Sequence, residues 1–301
     1  MQGKATLIIT HTNPDLDAIG FVYSARKVFG FNVPVRCGLP TRDQLEDPTV
    51  IVGDVGLPGC EHIGYNPDLN NFDHHYSYAD RSATFLLNQK FHALQQDIVE
   101  YIDAVDLWRP IREEPEANLK VAIAGIRMQH TGADRKILDE GGELLKWLEE
   151  TGQKPGDLSG SLPSKFKVYL QIGADVLRRI RKDNQAMQRC RTKKGRLVGY
   201  VQTAFPIFSI VKEDMFARGI DIAVVHNPEK RRFSIASNIL GNRGANLKKE
   251  GLVEALNQAE REKGSPYDQS WGGHEDRIGS PKPLGSLLSA EEVLEIIKDR
   301  L

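Results

Sequence analysis

Three short stretches, the apolar runs 5–10 and 49–52 and the segment 70–72, each pass directly into a loop that carries acids or histidines. The first enters His11-Thr12-Asn13-Pro14-Asp15-Leu16-Asp17, the second Gly53-Asp54-Val55-Gly56, and the third Asp73-His74-His75. Short apolar runs bounded by turn residues read as buried strands, the first of them β-branched, and the segment 70–72 reads as a further strand. Behind the first loop, Ile19, Val22, Ala25, Val28 and Phe29 recur at helical spacing up to Gly30. Asp15 and Asp17 therefore belong at or near a helix N-terminus. Residues 33–37 read as a further strand, giving four. Strands alternating with helices predict an α/β fold built on a parallel sheet with crossover connections. In such a sheet the strand ends converge on one crevice.

From Ser82 the pattern turns helical through Phe85, Leu86, Phe91, Leu94, Ile98 and Ile102, and ends around residues 103–108, before Pro110. Two more helical stretches follow, at 119–129 and 137–150. The turn-rich stretch 152–157 places the end of a first domain near residue 155. Phe166, Leu170, Gly173, Leu177 and Ile180 mark one face of a long helix, which joins the lobes over residues 156–195 and runs into the basic stretch 189–196. The second, smaller lobe covers 196–301. Residues 197–201 and 220–225 read as strands around a short helix at 211–217, and 232–237 returns as an antiparallel strand. Residues 247–262 are helical, 271–274 form a glycine loop, and 290–297 form a final helix.

Hydrophobic content of 40% and charged content of 27% describe an ordinary globular chain, and a net charge of -1 excludes a strongly basic, whole-surface nucleic-acid binder. The three cysteines, Cys37, Cys60 and Cys190, are widely spaced and form no C-x-x-C, which reads as reduced thiols. No stretch approaches a membrane span, and residues 5–10 are too short for a signal segment. The expectation is a cytoplasmic protein with no membrane partner.

His11, Asp15, Asp17, Asp54 and His74 make three carboxylates and two imidazoles. Mixed nitrogen and oxygen ligands suit Mn, Fe, Co or Zn, whereas Mg and Ca take more oxygens. Asp15 and Asp17, if extended, point to opposite sides and serve two different ions, and a central carboxylate such as Asp54 can bridge a pair. Two ions about 3.5–4 Å apart clamp the attacking and leaving oxygens of a phosphoester and acidify a bridging water. Taken alone, Asn13-Pro14-Asp15 is a turn and helix cap, and each of the other stretches is a loop. Together they require ligands at three strand ends by coincidence.

The ordered set resembles the DHH phosphoesterase superfamily with a C-terminal DHHA1 domain, of the nanoRNase and pAp-phosphatase kind. The stretch from His11 to Gly20 resembles the family's first motif, Gly53-Asp54 its second, and Asp73-His74-His75 with Ser82-Ala83-Thr84 its third. Trp271-Gly272-Gly273-His274 resembles the substrate motif of the DHHA1 lobe. The resemblance spans nearly the whole chain. It implies that His11 and Asp15 hold one metal, that Asp17 and His74 hold the other, and that Asp54 bridges them. Asp73 would then orient His74, and His75 would contact the scissile phosphate. Gly272, Gly273 and His274 would hold the rest of the substrate. The implied cofactor is a pair of Mn ions, with Mg or Co as substitutes.

The fourth metal aspartate lacks the usual family context. Asp106, within an Asp-Leu-Trp stretch, is preferred over Asp103. Trp271 stands where relatives carry glycine, as a base-stacking platform or a core residue. Arg232 or Arg243 would take over phosphate binding from the arginine that many relatives carry where the strand 232–237 ends in Ala236-Ser237, unless they are surface arginines at a turn. The expected activity is hydrolysis of short oligoribonucleotides or small nucleotide phosphoesters by a metal-activated water. The rivals are a polyphosphate or pyrophosphate hydrolase and a non-catalytic nucleotide- or RNA-binding module. The substrate partner is a short RNA or DNA oligonucleotide or a nucleotide, and a homodimer is compatible with the sequence.

Overall fold

A computed structural model describes residues 4–57, 60, 65–73, 81–107, 109, 116–160, 162–204, 208–238, 244–266, 270–273, 275–281 and 284–301. The expectation of an α/β fold with a parallel sheet holds. The chain divides into two compact units, Met1–Val176 and Leu177–Leu301. The division falls inside one long helix, Ser164–Gln185, which the sequence reading assigns to neither lobe.

In the first unit, β1 (Leu7–Thr10), β2 (Val35–Cys37), β3 (Val50–Gly53), β4 (Tyr65–Asn66) and β5 (Asn71–Phe72) form a sheet of order β2-β1-β3-β5-β4. The pairs β1–β2, β1–β3 and β3–β5 are parallel, and β4 closes the edge antiparallel to β5. The apolar runs look continuous because both faces of the sheet are covered. Ile8, Ile51 and Phe72 enter the main core, while Ile9, Val50 and Val52 pack on the other face with Leu45. Leu45 lies on α2 (Arg42–Glu46), a short helix that the hydrophobic pattern does not show and that the Thr41–Gln44 capping box starts.

The central helix is α1 (Leu16–Phe29), buried at every position from Leu16 to Arg26. It packs against α3 (Ala83–Phe91), α4 (Gln96–Asp106) and α6 (Asp134–Thr151). The sequence reads α3 and α4 as one helical pattern. The chain instead breaks at His92, which adopts a left-handed φ of 51° and returns its N–H to the carbonyl of Asn88. The Asn88 side chain then accepts the N–H of Leu94 at 2.8 Å, fixing the corner. Among the described residues, α5 (Leu119–Gln129) and α7 (Ser164–Gln185) are the remaining α-helices that begin in this unit.

In the second unit, β6 (Gln188–Arg191), β7 (Leu197–Gln202), β8 (Ile222–Asn227), β9 (Arg232–Ser237), β10 (Gly272–Gly273) and β11 (Arg277–Gly279) form a sheet of order β10-β11-β9-β8-β7-β6. Only β7–β8 is parallel among these pairs, and α8 (Phe208–Ala217) connects the two strands. The basic run read as a helix end supplies β6, and the glycine loop is in part strand β10. α9 (Leu252–Glu262) and α10 (Ala290–Arg300) cover one face over Val198, Val224, Ile235 and Trp271. Trp271 is 1% exposed, and its Nε1 donates to Glu260 Oε1 at 3.0 Å. It is therefore a core residue, not a stacking platform for a base. Among the described residues, no helix is long and apolar enough to cross a membrane.

Candidate metal centre

The strand order places a reversal between β1 and β3. The chain leaves β1 toward β2 on one side, then returns to add β3 on the other. In open α/β sheets, ligands bind outside the carboxyl ends of the strands at such a reversal. The register sharpens this placement. Ile9 pairs with Val52, and Gly53 pairs with Phe72. Continued past the strand ends, the same register sets His11, Asp54 and Asp73 in a row, each the first residue after its strand.

His11 Nε2 lies 3.0 Å from Asp54 Oδ2 and 3.5 Å from Asp15 Oδ1. One donor atom from each of these three residues lies within 4.8 Å of the other two, close enough to share one cation. The other ring nitrogen, Nδ1, is 2.7 Å from the carbonyl of Thr12. A carbonyl only accepts, so Nδ1 carries the proton and Nε2 faces the acids. This orientation is the one that a metal-binding imidazole needs. One imidazole nitrogen and two carboxylates suit a first-row divalent ion.

Local structure holds each of the three residues in place. Asp15 is the N-cap of α1 and accepts the N–H of Ala18 at 3.2 Å, so its carboxylate is fixed to a helix end. Asp54 is buried and has a left-handed φ of 53°, a conformation that Asp tolerates better than most residues. The loop between is pinned from two helices. Arg127 of α5 donates to the carbonyl of Asn13 at 3.4 Å, and Asp134 of α6 accepts the Asn13 N–H at 3.0 Å. Burial alone would lower the His11 pKa, but the charges of Asp54 and Asp15 outweigh it and raise the pKa well above its ordinary value. Burial raises the Asp15 pKa, yet His11 and the nearby Arg127 hold it far below the usual carboxylate range.

Other expected site residues take different positions. Asp17 is buried, its carboxylate accepts the N–H groups of Ala83 at 2.8 Å and Thr84 at 2.9 Å, and the Thr84 hydroxyl donates to its carbonyl. It joins α1 to the first turn of α3. Asp73 is fully buried at the end of β5. Asp106 is the last residue of α4, outside the three-residue cluster. Asp103 is 1% exposed and accepts Ser82 N–H at 2.7 Å and Arg81 and Arg109 at 2.9 Å each. Gly272 and Gly273 are exposed on β10 of the second unit, and Arg232 opens β9. His74, His75, Arg243 and His274 lie outside the described residues.

Sequence reasoning does not find Arg127, Asp134 or Arg81. Each acts on a partner distant in sequence or on a neighbouring helix end, so spacing carries no signal for it.

No family model matches the chain, and no curated protein matches it. Among solved structures, a DHH-domain protein described as a member of a family of ribosomal proteins is similar at a TM-score of 0.42 and 10% identity. That match covers 97% of this chain and 85% of the other. A likeness this distant sets neither activity nor substrate.

Proposed function

We propose that the N-terminal unit binds divalent metal and hydrolyses phosphoester bonds in short oligoribonucleotides or small nucleotides, in the manner of the DHH phosphoesterases that its motifs resemble. The observation that carries this reading is the convergence of His11 Nε2 on Asp15 and Asp54 at the β1–β3 reversal. A divalent ion there would lower the pKa of a bound water toward neutrality and draw off negative charge developing on phosphoryl oxygens.

The residues divide the remaining work. Thr12 fixes the ring of His11, α1 fixes Asp15, and the turn after β3 fixes Asp54 as the central acid. Asp17 and His74 complete the ligand set for a second ion, with Asp106 as a further acid. Asp73 orients His74, and His75 contacts the phosphate. In the second unit, Gly272, Gly273, His274 and Arg243 serve substrate binding. Manganese is the expected metal, with Mg or Co as substitutes.

The test is product release from a panel comprising an RNA dinucleotide, a longer RNA, 3′-phosphoadenosine 5′-phosphate, a cyclic dinucleotide and polyphosphate. Each is assayed with Mn, Mg or chelator. Chelator-sensitive turnover of the small nucleotides supports the proposal. Turnover of polyphosphate alone replaces the substrate class. Bound metal with no turnover of any member leaves a binding module instead of an enzyme.

A further inference from the structure

The first turn of α3 is closed to ligands at its backbone. Ser82 N–H goes to Asp103, Ala83 and Thr84 N–H go to Asp17, and Phe85 N–H goes to the Ser82 hydroxyl. This positive helix end therefore offers an anion no backbone donor from these four residues. Two arginine side chains lie beside it. Arg81 Nη1 and Arg109 Nη1 both bond the same oxygen, Asp103 Oδ2, at 2.9 Å, so the two nitrogens are no more than twice that distance apart. One buried carboxylate thus gathers two cations at the end of a helix whose dipole favours negative charge. Arg81 also packs on an aromatic ring. Its Cζ lies 4.2 Å from the centre of the Phe85 ring, and its side chain remains 43% exposed. Among the described residues, Arg81 uses one of its five N–H donors, the one to Asp103.

An arginine held by a carboxylate and an aromatic face, with its side chain still partly exposed, is organised to receive an oxyanion. Its location limits which oxyanion. Arg81 is two residues before Ala83, whose N–H rests on Asp17, and Asp17 is itself two residues from the metal ligand Asp15. We propose that Arg81, with Arg109 beside it, receives a phosphate group of the substrate that flanks the one cleaved, and that Asp103 is the residue positioning both arginines. This rests on the phosphoesterase reading above.

The test compares two dinucleotides that differ only by a terminal 5′-phosphate, with full-length protein and manganese. The wild type is expected to show a KM about tenfold lower for the phosphorylated substrate, the effect of one charge-assisted contact. Arg81→Met should raise that KM by about tenfold, change kcat less than about twofold, and erase the preference between the substrates. Arg81→Lys keeps a cation for Asp103 but loses the fork, so it folds where the methionine variant fails to, and should lose most of the preference.

A wild type that turns over both dinucleotides equally would overturn the inference and leave the phosphoesterase reading intact. So would an equal fall in kcat/KM for both substrates in Arg81→Lys with a lowered melting temperature, which is the mark of a structural ion pair. Manganese-dependent turnover of neither dinucleotide, nor of any other small phosphoester, would remove the phosphoesterase reading and this inference with it.

Discussion

His11 Nε2 lies 3.0 Å from Asp54 Oδ2, so the end of β1 is joined to the end of β3 at the place where the parallel strand order reverses. Without metal, a proton on Nε2 offsets part of the charge of the two facing acids. A divalent ion would take that proton's place, which couples metal binding to the fold of both strand ends.

Asp54→Asn tests that coupling. Asparagine keeps the size and the tolerance for the left-handed φ of 53°, so the variant should fold without metal, less stable by the charge it no longer offers His11. Manganese at about 100 times its Kd should stabilise the wild type by about 2.7 kcal/mol, a shift in Tm of roughly 5–10 °C. The variant should lose this shift. Melting curves with manganese and with chelator measure both quantities, and an unchanged shift in the variant would remove Asp54 from the metal centre.

Asp17 has a structural role that does not depend on metal. Its carboxylate satisfies two buried backbone N–H groups at the start of α3. Asp17→Ala leaves both unpaired, which should cost about 2–4 kcal/mol even in chelator. Urea unfolding in chelator provides the measurement. If Asp17 served only as a metal ligand, the variant and the wild type would unfold together once metal was withdrawn.

The strand ends are legible in the sequence because two local signals coincide there. Apolar runs such as residues 5–10 carry the strand signal, and His11, Asp15 and Asp54 are residue types rarely placed together without a task. The supports of those residues are not legible. Arg127 and Asp134 reach Asn13 from 114 and 121 positions away, a relation that only the packing of α5 and α6 creates. The corner at His92 is hidden because a non-glycine residue adopts the left-handed turn, and the apolar spacing continues across it. Trp271 is ambiguous for a different reason. Its burial depends on Glu260, which pairs with the indole N–H from a neighbouring helix.

Helices α5 and α7 cross at backbone contact, and this crossing should tolerate no side chain. A Cβ on Gly125 would lie 1.8 Å from the Tyr169 carbonyl oxygen, and one on Gly173 would lie 1.9 Å from that of Val121. Gly125→Ala must push two helices apart and should cost about 3 kcal/mol or more. Gly142→Ala, also mid-helix, meets only a Tyr23 ring carbon at 3.6 Å and should stabilise by about 0.5–1 kcal/mol through helix propensity. Equilibrium unfolding of the two variants gives opposite signs. A loss in both would indicate that backbone approach is not what distinguishes the two positions.

In the second unit, His226 makes stability depend on pH. Burial lowers its pKa, and the nearby Glu291 only partly opposes that. Its ring stacks on Phe233 at 3.9 Å, and its Nδ1 lies 3.0 Å from the Tyr200 hydroxyl. Gln202 donates to that hydroxyl at 2.8 Å, which leaves the hydroxyl's own proton able to go to Nδ1 of a neutral imidazole. The unfolded chain takes up the proton first, near pH ~6.5, while the folded state resists it. The stabilising contribution is therefore complete above about pH 6.5 and is lost as pH falls from there toward the folded pKa, by up to about 1.4 kcal/mol per pH unit. His226→Gln keeps an acceptor for Tyr200 and does not titrate. Between about pH 7.5 and 5.5, which brackets that uptake, the wild type should lose more melting temperature than this variant. Parallel losses in the two proteins would assign the acid sensitivity to carboxylates elsewhere in the chain.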